Sequence, residues 1–104
     1  MPAIASTPVP PYYAVIFTSI RSDGDKGYAE AARHMLELAA TQDGFLGFET
    51  ARQEIGISVS YWSSLAAIDA WKHNATHREV QMQAKNWYKA FRVRVCRVDK
   101  EYGF

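Results

Sequence analysis

Cysteine is almost absent from this sequence, which contains only Cys96. A single cysteine excludes an internal disulfide and every metal motif that needs several cysteines. A lone free thiol is typical of a reducing compartment, so we expect a cytoplasmic protein. Because Cys96 lies in a strand-like segment among apolar and long side chains, we interpret it as a small buried hydrophobic residue rather than a nucleophile.

An excess of one charge and long apolar runs are also missing. The chain has 12 Lys and Arg against 11 Asp and Glu, without a basic cluster, which argues against nucleic acid as the partner. No apolar run approaches the roughly 20 residues that a membrane helix needs, and the N-terminus lacks the basic start and apolar core of a signal peptide. We therefore expect neither nucleic acid nor a membrane as a partner.

Proline is absent after residue 11, and the four prolines before that point have no charged neighbour. This pattern predicts a flexible, proline-rich N-terminal arm over residues 1–11 and one folded domain over residues 12–104. The arm is either a frayed terminus or a segment that lies across a neighbouring subunit. A single domain of this size can bury one core, and it gains stability from surface buried by a partner subunit.

Segments rich in aromatic and β-branched residues predict four strands. Residues 12–20 have little polar alternation, as expected of a strand covered on both faces. Residues 45–52 and 57–62 flank a short turn and predict a hairpin, with Gly47 as the site of a bulge or a close backbone approach. Residues 88–98 alternate between two kinds of side chain. These are Phe91, Val93 and Val95 on one face and Arg92, Arg94 and Cys96 on the other.

A helix is predicted between the first two strands. Apolar residues recur at helical spacing from Tyr28 to Ala39. An aspartate at position 23 or 25 can cap the start of this helix. We expect Gly44 to supply the left-handed residue that ends it.

The segment after the third strand predicts two further helices with a break between them. The first begins at Ser63 or Ser64, whose hydroxyl can accept from backbone amides that have no helical partner. The second begins at Thr76, because Thr76 and Glu79 fit a capping box. One stripe of this second helix then carries His77, Val80, Ala84 and Trp87.

The order strand, helix, strand, strand, helix pair, strand predicts an α+β fold. It is the ferredoxin-like, split βαβ arrangement, in which helices cover one face of an antiparallel four-stranded sheet. The first strand is apolar on both sides, so the uncovered face needs a partner as well. We therefore expect a homodimer in which two sheets close into a dimeric α+β barrel.

Three short motifs together resemble the antibiotic biosynthesis monooxygenase superfamily of dimeric α+β barrels. They are the turn at residues 43–48, the strand end at 61–64, and the helix break that runs from 70–73 to 76–79. The resemblance extends over residues 12–98. Members of this superfamily include small cofactor-independent oxygenases of quinols or aromatic polyketides, haem-degrading monooxygenases, and proteins with no known activity.

The resemblance implies a monooxygenase that needs no cofactor and no metal. A quinol-like or polycyclic aromatic molecule, bound between sheet and helices, would itself give an electron to molecular oxygen. The protein must then exclude water and take one proton, which a histidine with a pKa near neutrality can do. The expected partners are thus a small aromatic molecule, molecular oxygen and a second copy of the chain. The candidate catalytic residues are His77 and Trp71, and the candidate substrate-binding residues are Trp62, His73, Arg78 and Arg92.

The haem-degrading branch of the superfamily fits less well. Its pocket tryptophan matches Trp71, but its haem-ligating histidine falls on Gln81, and its first-strand asparagine has no counterpart in residues 16–19. Because glutamine is a poor axial ligand for iron, haem degradation is disfavoured unless His77 takes that role. A further alternative is a non-catalytic small-molecule-binding or stress-response dimer of the same fold.

Five of the six candidate residues also have a purely structural interpretation. Trp62 and Trp71 are large hydrophobic residues that core packing alone would explain. His77 would then be an exposed residue of a first helical turn, and His73 would favour the helix end. Arg92 would lie on a solvated face or in a subunit interface. A metal site from His73 and His77 is disfavoured by the helix break between them.

Overall fold

The computed structural model describes residues 3–104, except for the side chains of Ala75 and Thr76. Its elements follow the predicted order and form one antiparallel sheet with the strand order β2-β3-β1-β4. This is the ferredoxin-like α+β fold, as predicted from the sequence. The elements are β1 (Tyr12–Arg21), α1 (Tyr28–Ala39), β2 (Phe45–Arg52), β3 (Gly56–Trp62), α2 (Leu65–Lys72), α3 (Ala75–Met82), α4 (Ala84–Trp87) and β4 (Tyr88–Val98).

Strand β1 lies in the interior of the sheet, with β3 on one side and β4 on the other. Val15 faces Ser60 of β3 and Val95 of β4, so these three side chains point to the same side. Val15 and Phe17 line a cavity beneath the helices, and Ile16 between them points to the opposite, helix-free face. We call these sides the helix face and the open face. The pairing with β1 confirms the predicted alternation of β4 from Phe91 to Cys96, but a register shift breaks it between Ala90 and Tyr88.

Gly47 marks an irregularity in β2, as predicted. The register between β2 and β3 shifts between Phe45 and Gly47. A Cβ atom at Gly47 would lie 2.8 Å from the Cβ of Ala5, so only glycine lets the N-terminal arm pass this close to the strand. The sheet therefore has a place for the arm on its open face.

Helix α1 begins where the sequence predicts, but its end differs from the prediction. The Asp25 carboxylate accepts hydrogen bonds from the amides of Gly27 (2.9 Å) and Ala29 (3.1 Å). The helix ends at Ala39, whereas Gly44, with φ +85°, lies in the turn into β2. The prediction that Gly44 ends the helix was wrong because this glycine serves the turn.

The helix pair after β3 has the predicted break. The Ser64 hydroxyl accepts from the amide of Ala67 at 3.0 Å, which confirms this residue as the cap of α2. Helix α3 begins at Ala75, one residue before the predicted start, because the side-chain amide oxygen of Asn74 accepts from the amide of His77 at 3.2 Å. The predicted capping contacts of the Thr76 side chain lie outside the described residues. Helix α3 ends at Met82, so the predicted long stripe is divided between α3 and α4.

The open face is covered at one end only. Tyr12 is buried there, and its hydroxyl lies 3.0 Å from the Thr7 hydroxyl of the arm and 3.2 Å from the Glu101 carboxylate of the tail. At the other end, Ile20 and Ile57 are 43% and 46% exposed. The arm thus contacts the sheet at the described residues, while its flexibility stays a prediction.

Strand β4 forms an edge of the sheet and is exposed along most of its length. Phe91, Val93 and Val95 lie on the helix face but are about half exposed, since no helix covers the edge. Cys96 is exposed as well, so its interpretation as a buried residue was wrong for this chain taken alone. None of the helices in the described part of the chain is both long and apolar enough to cross a bilayer.

Candidate functional site

A cavity of about 220 Å³ lies between the helix face of the sheet and the helices. The alternation of β1 and β3 provides its floor, and the apolar stripe of α1 provides part of its roof. The volume is below the range of about 300 to 1,000 Å³ that is usual for drug-sized ligands, so the cavity suits a small molecule. The floor consists of Val15, Phe17, Ser58, Ser60 and Trp62, and the α1 side of Ala32, Met35 and Leu36.

Trp62, at the end of β3, forms one end of the cavity, and its neighbours hold its side chain in place. Its side chain is fully buried. The indole Nε1 donates to the Ser60 hydroxyl at 2.9 Å, and the Phe45 ring packs edge-on at 5.4 Å between centroids. A buried indole whose N–H is paired leaves its ring as an apolar surface.

Trp71, in the last turn of α2, extends this aromatic wall. Its ring stacks on Trp62 with the centroids 6.1 Å apart and the planes inclined by 26°. The Ser64 cap fixes where α2 begins and therefore which face of the helix Trp71 occupies. The two tryptophans that the sequence singled out are thus brought together in one cavity wall.

His77, near the start of α3, stacks on Trp71 at 4.5 Å and an angle of 18°. Its Nδ1 lies 3.0 Å from the carbonyl oxygen of Trp71. A carbonyl oxygen only accepts, so Nδ1 carries the hydrogen and Nε2 of the neutral ring is left as the proton acceptor. Burial lowers the pKa of His77, and the hydrogen bond to Trp71 opposes this only in part.

His77 also has a structural role, because it binds a carbonyl at the end of α2. The same Trp71 oxygen accepts from the amide of Asn74 at 3.0 Å. Trp71 and Val80 line the cavity, whereas the imidazole contacts it through Trp71. His77 therefore stands beside the cavity wall as a neutral, half-buried base.

The other predicted site residues lie elsewhere. His73 is exposed, and its Nδ1 lies 2.8 Å from the carbonyl oxygen of Asp69, one helical turn earlier. Arg78 is exposed on α3. Arg92 is exposed on β4 opposite Thr18, so strand alternation puts it on the open face. None of these three lines the cavity as far as the described side chains define it.

The structure also shows where Gln81 lies and how the side chains that could bind a metal ion are distributed. Gln81, which the sequence resemblance places at the position of a haem ligand, is exposed on α3. Among the side chains described between residues 3 and 104, no three histidine, cysteine, aspartate or glutamate residues are grouped as a metal site would require.

Sequence reasoning missed the other end of the cavity, where Tyr28 of α1 and Tyr88 of β4 meet. Their rings are perpendicular, with the centroids 5.6 Å apart. Burial, and then the neighbouring Tyr28 hydroxyl, raise the pKa of Tyr88 well above its usual range. The guanidinium of Arg21 lies 3.5 Å from the centre of the Tyr28 ring. This end thus combines two phenol hydroxyls with a nearby positive charge.

A bulge explains why Tyr88 was missed. Simple alternation from Phe91 and Val93 would direct Tyr88 to the open face. The register between β1 and β4 shifts between Ile20 and Arg21, which face Ala90 and Tyr88, so Lys89 is the additional residue. The shift turns Tyr88 toward the helices. Tyr28 was identifiable, since it begins the apolar stripe of α1.

Comparison with known proteins gives one family. The family model described as antibiotic biosynthesis monooxygenase matches residues 11–83, which is more than half of the chain. YqjZ of Bacillus subtilis (strain 168), an uncharacterized protein, is 46% identical over 107 residues, covering 100% of this chain and 94% of YqjZ.

Solved structures share the architecture at low identity. SnoaB of Streptomyces nogalater, a cofactor-independent oxygenase, matches with a TM-score of 0.77 and 7% identity over 86% of this chain and 95% of SnoaB. The protein SO0527 of Shewanella oneidensis matches with a TM-score of 0.74 and 12% identity over 85% of this chain and 91% of SO0527. At such identities the likeness concerns the fold alone.

Proposed function

Because the chain belongs to the antibiotic biosynthesis monooxygenase family, we propose that it is a cofactor-independent monooxygenase of a small, flat aromatic molecule. The substrate is quinol-like or a small polycyclic aromatic, and it binds in the cavity between sheet and helices. The observation that carries this proposal is the stack of Trp62, Trp71 and His77 at that cavity. The likeness in fold to SnoaB agrees with it.

The cavity wall supports the choice of an aromatic ligand. Trp62 and Trp71 provide flat apolar surfaces whose planes differ by only 26°. Aromatic rings gain from offset stacking on such surfaces in addition to the burial of their area. The floor hydroxyls are paired within the protein, Ser60 with the Trp62 indole at 2.9 Å and Ser58 with Thr50 at 2.9 Å. The wall therefore favours a ligand with a large apolar body.

The proposed reaction takes its electrons from the substrate. Removal of a proton from a CH₂ group beside a carbonyl, or from a phenol, gives an electron-rich enolate or phenolate. This anion passes one electron to molecular oxygen, and the resulting pair of radicals combines to a peroxide. Loss of water then leaves a new carbonyl group. Because CH₂ and O₂ are converted into C=O and H₂O, no external reductant is consumed.

His77 is the proposed proton acceptor. Its Nε2 is free to accept because Nδ1 donates to the Trp71 carbonyl, and its lowered pKa keeps the ring neutral at physiological pH. The proton returns to the peroxide when water leaves, so the base is regenerated. His73, Arg78 and Arg92 are exposed and neither line the cavity nor stack on its aromatic wall, so they receive no role at the reacting atoms.

We also propose a homodimer as the working form. The exposed apolar residues of β4, together with Ile20 and Ile57 on the open face, provide surface for a second copy. A dimer would cover both areas and close two sheets into a barrel. Light scattering should give twice the chain mass of 11.8 kDa. A mass of one chain at micromolar concentration would contradict the dimer.

The activity is tested by oxygen uptake of purified, chelator-treated protein with a panel of quinols and hydroxylated polycyclic aromatics. We expect uptake by the wild type and a loss of about 100-fold or more in His77→Gln, as is usual when a general base is removed. His34→Gln is the matched control, because His34 is exposed on α1. Ligand binding without uptake would overturn the oxygenase and favour a non-catalytic small-molecule binder.

The pH dependence of the same assay identifies the base. His77 has a pKa below its ordinary value of 6.5, so it is neutral above pH 6.5 and becomes protonated only as the pH falls through the lowered value. The ratio of wild-type to His77→Gln uptake should therefore be level above pH 6.5 and fall only as the pH drops through the lowered pKa of His77. A ratio that does not change with pH would contradict proton transfer to His77.

A further inference from the structure

The cavity has a second end, which the proposed reaction leaves without a role. Trp62 faces Tyr13 at the start of β1, whereas Tyr88 faces Arg21 at its end. With a rise of about 3.3 Å per residue, positions 13 and 21 are about 26 Å apart along the strand. Trp62 and Tyr88 both line the cavity, their rings reaching into it from opposite ends of the sheet.

The second end carries hydrogen-bond donors. Tyr88 is half-buried and lies beside Tyr28, with the ring planes at 90°. Its pKa is raised, first by burial and then by a hydrogen bond with the Tyr28 side chain, so the Tyr88 phenol keeps its proton. One hydrogen bond between the two hydroxyls uses one of their two hydrogens, so one O–H of the pair is left to donate. The Ser58 and Ser60 hydroxyls of the floor already have partners within the protein. The tyrosine end is therefore the polar end of an apolar cavity.

Positive charge is held close to these donors. The Arg21 guanidinium lies on the Tyr28 ring, and its Nε and Nη2 donate to the carbonyl oxygens of Trp87 at 2.9 Å and Gly24 at 3.1 Å. A cation over the face of a phenol withdraws electron density from the ring and strengthens its O–H as a donor. Arg21 and Arg52 also act on the charge state of Tyr88. This end thus favours a ligand atom that carries or gains negative charge.

We propose that the hydroxyl pair of Tyr28 and Tyr88 donates a hydrogen bond to a carbonyl or phenolate oxygen at one end of an aromatic ligand. The apolar body of that ligand lies toward Trp71. The site then selects aromatic ketones, quinones and phenols over hydrocarbons of the same shape. The inference rests on the proposed function and names its substrate class more closely. Tyr88 lies after residues 11–83, the segment that matches the family model.

Two probes of one shape test the assignment. 1-Tetralone and tetralin share a bicyclic carbon skeleton, but only 1-tetralone has an oxygen that accepts a hydrogen bond. All three tryptophans of the chain line the cavity, so their indole N–H signals in ¹H–¹⁵N spectra report binding. The variants are Tyr88→Phe and Tyr28→Phe, which keep the ring. The matched control is Tyr102→Phe, because Tyr102 is 92% exposed in the tail.

We expect Tyr88→Phe to bind 1-tetralone about three- to tenfold more weakly than the wild type, the usual effect of one hydrogen bond. Its affinity for tetralin should be unchanged, and Tyr28→Phe should show a loss of the same kind. An equal loss for both probes, no loss for either, or no indole shift in the wild type would overturn the assignment.

The titration consumes no oxygen, so it separates this inference from the proposed activity. If the protein prefers 1-tetralone over tetralin, loses this preference in Tyr88→Phe and takes up no oxygen, the hydrogen-bond donor is upheld and the oxygenase is overturned. If oxygen uptake depends on His77 but the protein binds 1-tetralone and tetralin equally well, the oxygenase is upheld and the role of Tyr88 is overturned.

Discussion

The two faces of the sheet are built from alternate residues of the same strands, yet they have different surroundings. On the helix face, Val15 and Phe17 line a cavity closed by aromatic side chains. On the open face, Tyr12 and Ala14 are buried at one end, whereas Ile20 is 43% exposed at the other. One strand thus lines a cavity with one half of its residues and forms a partly exposed surface with the other half.

The polar groups of the two faces differ in the same way. On the helix face, the floor hydroxyls pair with neutral partners, and no carboxylate lines the cavity among the described residues. On the open face, the Glu49 carboxylate accepts from the Tyr61 hydroxyl at 2.6 Å and from the Ala5 amide at 2.9 Å. Around the cavity, the described side chains of the helix face are thus apolar or paired with neutral groups, whereas the open face pairs a carboxylate with another segment of the chain.

The largest effect should come from the helix face. Trp62→Ala should lower the free energy of unfolding by about 3 to 5 kcal/mol, because a fully buried indole is replaced by a cavity. Urea denaturation followed by circular dichroism measures this. Ile57→Ala on the open face is the control and should cost less, since Ile57 is 46% exposed. Equal losses in the two variants would remove the distinction between the faces.

A smaller effect is expected where the arm meets the open face. Tyr61→Phe removes the hydrogen bond to Glu49 and should lower the free energy of unfolding by about 0.5 to 1.5 kcal/mol. Tyr13→Phe is a suitable control, because Tyr13 is a neighbour on the same sheet that points to the helix face. The Tyr61 hydroxyl holds the Glu49 carboxylate, which in turn accepts from the amide of Ala5 in the arm. We therefore expect proteases to cut Tyr61→Phe faster than the wild type within residues 3–11.

Alkaline pH sharpens the same comparison. Burial raises the pKa of Tyr61 to about 12, with the hydrogen bond to Glu49 as the second cause. A phenol whose pKa is raised on folding stabilises the protein fully below its ordinary value of 10 and loses this contribution as the pH rises through about 12. The wild type should therefore lose more stability than Tyr61→Phe over this interval. The same pH dependence in both proteins would assign the effect to other groups.

Much of the fold could be predicted because it follows from local patterns. The strands and the cap at Ser64 depend on alternation and on side chains next to the backbone they bind. Trp62, Trp71 and His77 were identified together because they flank the turns that bring the end of β3 and the helix pair close to each other. The sequence gives residue types near these turns, and folding stacks their rings.

The remaining features depend on contacts between distant segments. Tyr88 faces the cavity only because of the bulge at Lys89, which simple alternation does not reveal. Neighbouring strand residues point to opposite faces, so Arg92, a predicted substrate-binding residue, lies on the open face while Phe91 lies on the helix face. The position of the arm depends on Glu49, which lies 44 residues after Ala5. The positions of these side chains and of the arm depend on how the strands pair in the sheet, and residues adjacent in sequence do not determine them.

The central claim is that the cavity on the helix face, and not the open face, is the functional site. The most direct test compares oxygen uptake by Val80→Phe, which fills the cavity, with that of Ile57→Phe, which adds the same ring to the open face. Circular dichroism first establishes that both variants are folded. We predict that uptake is lost in Val80→Phe and retained in Ile57→Phe. Retained uptake in Val80→Phe together with lost uptake in Ile57→Phe would contradict the claim.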